Sequence, residues 1–91
     1  MIIIVAGKLI INSGSRDEFV RKSVEATILA RENEACEDFS VSPDPIDKNR
    51  VNIFEKWKSR AAMEEFRNTG PESDPFSLVE AFDVDEYEVE T

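Results

Sequence analysis

The N-terminal run from Ile2 to Ile11 is the feature that most constrains the fold of this chain. In the alternation of a β-strand its residues fall into two sets: Ile3, Val5, Gly7, Leu9 and Ile11, and Ile2, Ile4, Ala6, Lys8 and Ile10. Successive side chains of a strand point to opposite faces of a sheet, and both sets here are mainly apolar. We therefore expect a strand over residues 2–11 that is covered on both faces.

A helix is predicted after this strand. The run Asn12-Ser13-Gly14 breaks the strand, and Ser15 and Glu18 have the spacing of a capping box, in which each side chain bonds a free backbone amide. Apolar residues then recur at three-and-four spacing to about Arg31, which predicts one amphipathic helix.

A hairpin is predicted in the middle of the chain. Residues 36–42 alternate, and this pattern places Phe39 and Val41 on one face and Cys36, Asp38 and Ser40 on the other. Residues 43–49 have the composition of a turn. Residues 51–57 are the next strand, and the two strands should pair antiparallel.

The last third of the chain predicts two short helices and a strand. Ser59 caps the first helix, the run Asn68-Thr69-Gly70-Pro71 stops it, and Pro75 can open the second. The final strand covers about residues 82–90. Its apolar positions change phase between Val84 and Tyr87, which predicts a bulge or break near Asp85-Glu86.

The element order β-α-β-β-α-β predicts one ferredoxin-like α+β sandwich over residues 1–91. The helices of such a sandwich cover only one face of the sheet. A chain of this length has a thin core, so a second copy of the same sheet is the most economical cover for the other face. We therefore expect a homodimer formed sheet against sheet.

Charge and composition exclude several classes of function. The chain has 20 acidic and 11 basic residues and a net charge of −9, which disfavours binding to nucleic acid or to a membrane surface. The single cysteine, Cys36, rules out an intramolecular disulfide and fits a cytoplasmic protein. The chain has no histidine, the commonest metal ligand, so we expect no metal site. The initial apolar run is too short to span a bilayer.

Trp57, the only tryptophan, lies where the second hairpin strand meets the following helix. It is either one wall of a pocket for an aromatic ligand or a core residue whose N–H bonds a backbone carbonyl. Glu55 shares its strand face with Trp57 and Ile53. An acid on an apolar face is either paired, here with Lys8 or an arginine, or is a base with a raised pKa.

The far wall of a cleft between sheet and helices is predicted from a set of large apolar side chains: Met63, Phe66, Phe76 and Leu78. Such residues at helical spacing are also typical of an ordinary core. The acidic C-terminal strand suggests either a solvated sheet edge or a cation site. The solvated edge is preferred, because alternating carboxylates on a strand do not converge as ligands must.

The ordered set of segments resembles the antibiotic biosynthesis monooxygenase family, whose members are dimeric α+β barrels. The resemblance is carried by the segments 2–9, 14–19, 35–41, 44–45, 49–51, 54–57 and 61–63. It implies oxidation of a hydroxylated polycycle or quinol by molecular oxygen without metal or flavin. It also implies a dry slot between sheet and helices, in which Trp57 matches the tryptophan that lines the family's pocket.

Departures from the family pattern are equally specific. Ile53 stands where characterised members carry an asparagine four residues before the tryptophan, and Met63 aligns near their tyrosine. The haem-degrading relatives need a histidine and an asparagine. This chain has no histidine, and Gly7 occupies the asparagine position, so haem degradation is rejected.

The leading hypothesis is a cofactor-free monooxygenase-like protein acting on a small hydroxylated aromatic or quinone. Glu55 would be the base, Trp57 would stack on the substrate, and Met63, Phe66 and Phe76 would exclude water. The alternative is a non-catalytic small-molecule-binding or stress-related dimer of the same fold. A third option is an isomerase or decarboxylase that uses one carboxylate.

Overall fold

The computed structural model describes residues 1–68 and 75–90, and of Pro75 and Phe76 it describes only the backbone. The elements are listed in chain order. They are β1 (Ile2–Ile11), α1 (Arg16–Glu32), β2 (Cys36–Pro43), β3 (Arg50–Trp57), α2 (Arg60–Asn68), a 3₁₀ helix (Pro75–Leu78) and β4 (Val79–Val89). The strands form one antiparallel sheet in the order β2-β3-β1-β4. The predicted β-α-β-β-α-β sandwich is confirmed.

The start of α1 differs from the prediction. The Ser15 side chain makes no capping hydrogen bond, so the predicted capping box is wrong. The Phe19 amide instead donates to the Ser15 carbonyl at 2.9 Å. Arg16, the first helical residue, donates from Nη1 to the carbonyls of Asp44 and Asp47 at 3.0 and 2.9 Å. The helix entry is therefore tied to the β2–β3 turn by a side chain distant in sequence.

The β2–β3 turn is organised by the carboxylate of Asp44. Its oxygens accept hydrogen bonds from the amides of Ile46 and Asp47 and from the side chain of Asn52. These bonds favour the ionised form and lower the pKa of Asp44 to about 2. These hydrogen bonds hold the turn residues together, and β2 and β3 pair as the predicted hairpin.

The second helix, α2, begins as predicted. The Ser59 hydroxyl accepts a hydrogen bond from the Ala62 amide at 3.2 Å, as a capping residue does. The helix ends at Asn68, and the predicted stop signal over residues 69–71 lies outside the described residues. Neither α-helix in the described part is long and apolar enough to cross a membrane.

The two faces of β1 have different environments. The odd-numbered residues point toward the helices, and four of them are buried: Ile3, Val5, Leu9 and Ile11. They divide between two clusters of buried side chains. The first contains Ile3 and Val5 with Ala30, Phe39, Trp57 and Met63, and the second contains Leu9 and Ile11 with Phe19 and Val51.

We call the face of the sheet away from the helices the open face. The strand register places these apolar residues on it: Ile2, Ile4, Ala6, Phe54, Tyr87 and Val89. It also places these polar residues there: Lys8, Asn52, Lys56, Asp83 and Asp85. Phe54 is 36% exposed and Tyr87 51% exposed. The sequence therefore correctly identified a first strand that is mainly apolar on the face that the helices do not cover.

The β2 strand contains an irregularity that overturns one prediction. Its register with β3 shifts between Cys36 and Asp38, so Cys36 lies opposite Trp57 on the helix side. Cys36 packs against the first core cluster. The predicted placement of Cys36 on the same face as Asp38 is therefore wrong, because the bulge reverses the alternation at that point.

The predicted bulge in β4 is also wrong in position. The pairing of β4 with β1 is continuous from Val89 to Ala81, and the shift lies between Ile10 and Ile11. Val84 pairs with Gly7 on the helix side, whereas Tyr87 pairs with Ile4 on the open face. The change of phase in the sequence therefore reflects apolar residues that serve different faces of one regular strand.

Gly7 is required by the close approach of β4. Its φ is +155°, and a Cβ atom added there would lie 2.1 Å from the Asp83 carbonyl oxygen and 2.7 Å from the Val84 Cα. Both neighbours are backbone atoms, so the clash is relieved only if the strands separate.

We expect Gly7→Ala to lower the free energy of unfolding by about 3 kcal/mol, because backbone has to move in the centre of the sheet. Gly14→Ala is the matched control, since Gly14 also has positive φ but open space around it. Gly14→Ala should lower the free energy of unfolding by only about 1 kcal/mol, because alanine is strained in the left-handed conformation. Urea unfolding of both variants checks this, and equal losses would contradict the argument from close approach.

Candidate functional site

Trp57 is a core residue whose polar group is satisfied by an acid. It is 0% exposed and lies opposite Ile3 at the end of β3. The indole Nε1–H donates to Glu55 Oε1 at 2.9 Å. The centroid of the ring lies 5.3 Å from that of Phe66, with 43° between the planes. Of the two interpretations of the sequence, the core tryptophan describes this packing, with a carboxylate in place of the expected carbonyl.

Glu55 is a partly buried carboxylate on the helix side of β3, flanked by Val5 and Phe39 on the neighbouring strands. Burial raises its pKa above the ordinary value, and the nearby charge of Glu86 acts in the same direction. The indole hydrogen bond and the charge of Arg67 oppose the rise without cancelling it. Glu55 therefore gains a proton more readily than an exposed glutamate does.

Among the described residues Glu55 forms no ion pair with Lys8 or with an arginine, and Arg67 acts on it only as a nearby charge. Lys8 lies on the open face, where its Nζ is 3.8 Å from Asp83 Oδ2. The raised-pKa interpretation of Glu55 therefore agrees with the geometry, and Trp57 is the hydrogen-bonding partner of the carboxylate.

An ionic cluster beside this pair joins α2 to β4. Arg60 donates to Glu86 at 2.6 Å and to Glu88 at 3.1 Å, and Arg67 donates to the second oxygen of Glu86 at 3.0 Å. The bond from Arg60, followed by that from Arg67, lowers the pKa of Glu86. Sequence reasoning placed these two acids on a solvated edge. In a regular strand without the predicted bulge, Glu86 and Glu88 lie on the same face as Val84, which is the face toward the helices.

A row of four cross-strand neighbours, the middle row, separates the two core clusters. It consists of Val41, Ile53, Gly7 and Val84, one from each strand. All four are partly exposed, whereas the rows on both sides contain fully buried residues. The centre of the helix-covered face is therefore less completely buried than the two clusters on either side of it, and it lies one row away from Glu55. Sequence reasoning named Gly7 and Ile53 only as departures from a family pattern and missed their pairing across the sheet.

The predicted far wall of the cleft divides into different environments. Met63 is fully buried in the first cluster, and Phe66 is partly exposed, with its ring centroid 6.0 Å from that of Phe39. Leu78 packs beside the second cluster. The side chain of Phe76 lies outside the described residues. Among the described aromatic residues of this region, Phe66 is the one that offers surface to a guest.

Metal ligands do not converge in the part of the chain that the structure describes, where no group of three acidic or thiol side chains could hold an ion. The acids of β4 that point toward the helices are instead occupied by arginines.

Comparison with known proteins identifies the family. The family model described as antibiotic biosynthesis monooxygenase matches residues 2–74. The chain belongs to this family. The match includes Glu55, Trp57 and three members of the middle row, so the candidate site lies in the matched part. No curated protein matches the chain.

Solved structures of similar fold include several members of the antibiotic biosynthesis monooxygenase group. A candidate monooxygenase of this type from Chloroflexus aurantiacus J-10-fl has a TM-score of 0.81 and 22% identity, covering 100% of this chain and 95% of its own. A second one, from Deinococcus radiodurans, has a TM-score of 0.79 and 21% identity, and the match covers 100% of this chain and 94% of that protein. A protein of Mycobacterium tuberculosis has a TM-score of 0.78 and 15% sequence identity, and the match covers 100% of this chain and 97% of that protein. These likenesses establish the fold.

The protonation of Glu55 should make stability depend on pH. The pKa of Glu55 is raised in the folded state, so its ionisation destabilises the fold as pH rises above about 4.5 and through the raised value. Glu55→Gln removes that ionisation and can still accept the indole hydrogen bond. We expect this variant to be more stable than the wild type at neutral pH, by a margin that shrinks as pH falls toward 4.5.

Denaturant unfolding at a series of pH values measures this margin. Glu64→Gln, an exposed substitution on α2 that also removes one carboxylate, is the control and should give no comparable gain in stability at neutral pH. A destabilised Glu55→Gln variant with no pH dependence would show that the carboxylate is not held against its ionisation.

Proposed function

We propose that this chain is a cofactor-independent monooxygenase that oxidises a small hydroxylated aromatic or quinol with molecular oxygen. The observation that carries the proposal is Glu55, a partly exposed carboxylate with a raised pKa, fixed by the Trp57 indole beside an apolar row. A general base works best when its pKa lies near the working pH, and burial moves Glu55 in that direction.

The proposed reaction begins with proton transfer. The substrate ring lies over Gly7 and Ile53, and its hydroxyl group faces Glu55, which takes the proton. The aromatic anion that results is electron-rich and passes an electron to molecular oxygen. Recombination of the substrate radical with superoxide forms a carbon–oxygen bond and gives a peroxide anion, which takes the proton back from Glu55. The resulting hydroperoxide loses water and leaves the oxidised product with one oxygen atom from molecular oxygen. An apolar floor favours this step because it excludes water from the reactive anion.

The proposed roles of the site residues follow from their exposure. Trp57 positions Glu55 through the hydrogen bond, and stacking of its ring on a substrate requires Phe66 to move aside, because the indole is buried beneath it. Phe66 is the candidate wall, and Met63 supports it from the core. Phe76 is proposed as a further member of this wall because of its position in the sequence.

A second candidate function is a non-catalytic small-molecule-binding dimer of the same fold. Complete burial of Trp57 and Met63 favours this function, since a filled core beside the indole leaves less space for a substrate. Ile53 also provides no hydrogen-bond donor for a developing oxyanion, which acyl- and oxygen-transferring sites usually have.

We also propose that two copies pair through the open face in the cytoplasm, and that residues 1–91 act as a single domain. The apolar surface of Ile4, Phe54 and Tyr87 supports the pairing, because monomeric proteins rarely expose a contiguous patch of this kind. The free thiol of Cys36 supports the reducing compartment.

Oxygen consumption with a panel of hydroquinones and anthrones tests the catalytic proposal. We expect turnover by the wild type and a loss of kcat of about a hundredfold or more in Glu55→Gln, because proton transfer limits formation of the anion. Glu64→Gln should retain full activity. Saturable binding of panel members without oxygen uptake would favour the second candidate, and turnover that survives in Glu55→Gln would refute the role of Glu55.

Sedimentation analysis tests the pairing. We expect the wild type to have the mass of a dimer and Phe54→Asp to have the mass of a folded monomer, because the charge would be buried without a partner. Ile46→Asp is the control, since Ile46 is 93% exposed in the β2–β3 turn, away from the open face. A monomeric wild type would exclude this interface, and so would a Phe54→Asp variant whose dimer has the same dissociation constant as that of the wild type.

A further inference from the structure

A groove that shares only Val41 with the middle row runs between α1 and the edge strand β2. It has a cavity volume of about 230 Å³. Six residues of α1 and one of β2 line this α1 groove: Val20, Ser23, Val24, Thr27, Ile28, Arg31 and Val41. Apart from Arg31, the lining carries no charge. Val24 and Ile28 are 50% and 54% exposed, which is unusual for aliphatic side chains on a helix.

The two hydroxyl groups of the α1 groove are already used by the helix. Ser23 donates to the Phe19 carbonyl at 2.9 Å and Thr27 donates to the Ser23 carbonyl at 2.8 Å. Their protons are therefore directed into the helix backbone, and the groove presents mainly methyl groups between Val24 and Val41. An apolar ligand body fits this surface without leaving a donor unpaired.

Arg31 supplies a fixed cation at one end of the α1 groove. Its Nε donates to the Phe39 carbonyl on β2 at 2.9 Å, which holds the guanidinium against the strand. Within residues 1–68 and 75–90, its two terminal amino groups make no hydrogen bond or ion pair. The other arginines of the candidate site region, Arg60 and Arg67, are both occupied by acids.

We propose that the α1 groove binds a small apolar monocarboxylate. The apolar body would lie between Val24, Ile28 and Val41, and the carboxylate would accept the two free amino groups of Arg31 in a bidentate pair. Charge complementarity supports this occupant, because Arg31 is the one charged residue in the lining of the groove and its terminal amino groups have no acid partner among the described residues. The volume is below the range of about 300–1,000 Å³ that is common for drug-sized ligands, so the ligand is small.

Titration with octanoate, followed by amide NMR, tests this proposal. Octanoate should shift the signals of Val24, Thr27, Ile28 and Val41 in a saturable manner. Octanamide, which has the same chain without the charge, should bind at least tenfold more weakly. Glu55→Gln should leave octanoate binding unchanged, so the result does not depend on the proposed monooxygenase site.

Variants of both halves of the α1 groove complete the test. Arg31→Gln should weaken octanoate at least tenfold, Arg31→Lys by less, and Arg21→Gln, an exposed arginine of α1 outside the groove, not at all. Ile28→Asn keeps the cation and should weaken octanoate through the apolar wall. Thermal unfolding verifies that each variant is folded. Equal binding of octanamide, unchanged binding in Arg31→Gln, or shifts confined to the surroundings of Glu55 would each overturn the proposal.

A peptide or a second copy of the chain is the competing occupant of the α1 groove. If a second copy covers it, octanoate produces no saturable shifts at Val24 and Ile28, and Ile28→Asn changes the oligomeric state. That outcome also overturns the proposal.

Discussion

The central position of β1, with apolar side chains on both faces, is the constraint on which the rest of the structure depends. It pairs with β3 on one side and β4 on the other, so each of its residues fixes a row across the sheet. Its odd-numbered residues belong to both core clusters under the helices. The even residues create the open face. Burial of apolar surface is the main favourable term in folding, and a chain this short can satisfy only one face of the strand by itself.

Much of the fold could be predicted because its signals are local. The length of β1, the hairpin and the Ser59 cap of α2 each depend on a few adjacent residues, and the structure confirms them. The failures involve long-range pairing. Ser15 does not cap α1, where the helix entry is tied to the distant β2–β3 turn by Arg16. The bulge at Cys36 and the regular passage of β4 through Asp85 depend on the neighbouring strand, which the sequence pattern does not contain.

The candidate site could be predicted only in part, for the same reason. Period-two alternation placed Glu55 and Trp57 on one face, and the structure joins them by a hydrogen bond. The middle row requires the register of all four strands at once, so Gly7 and Val84 could not have been placed beside Ile53 from sequence. The pairing of Arg60 and Arg67 with the acids of β4 requires in addition the position of α2 over the sheet. The family resemblance supplied the expectation of a slot between sheet and helices beside Trp57, but not the row of the sheet that would form its floor.

The environment of Glu55 is balanced between opposing effects, and this balance connects the fold to the proposed chemistry. Burial favours the neutral acid, while the Trp57 indole and the charge of Arg67 favour the carboxylate. A flat apolar ligand placed over the middle row would remove water from Glu55 and shift the balance further toward the protonated form. The substrate would therefore strengthen the base at the moment when its own proton has to leave. Glu86 contributes to the same effect, because its negative charge disfavours ionisation of Glu55, although Arg60 and Arg67 hold Glu86 in place and partly neutralise it. If Glu55 is the base that we propose, a ligand without an acidic hydroxyl gains nothing from this arrangement, and phenolic guests would bind in preference to apolar ones of equal size.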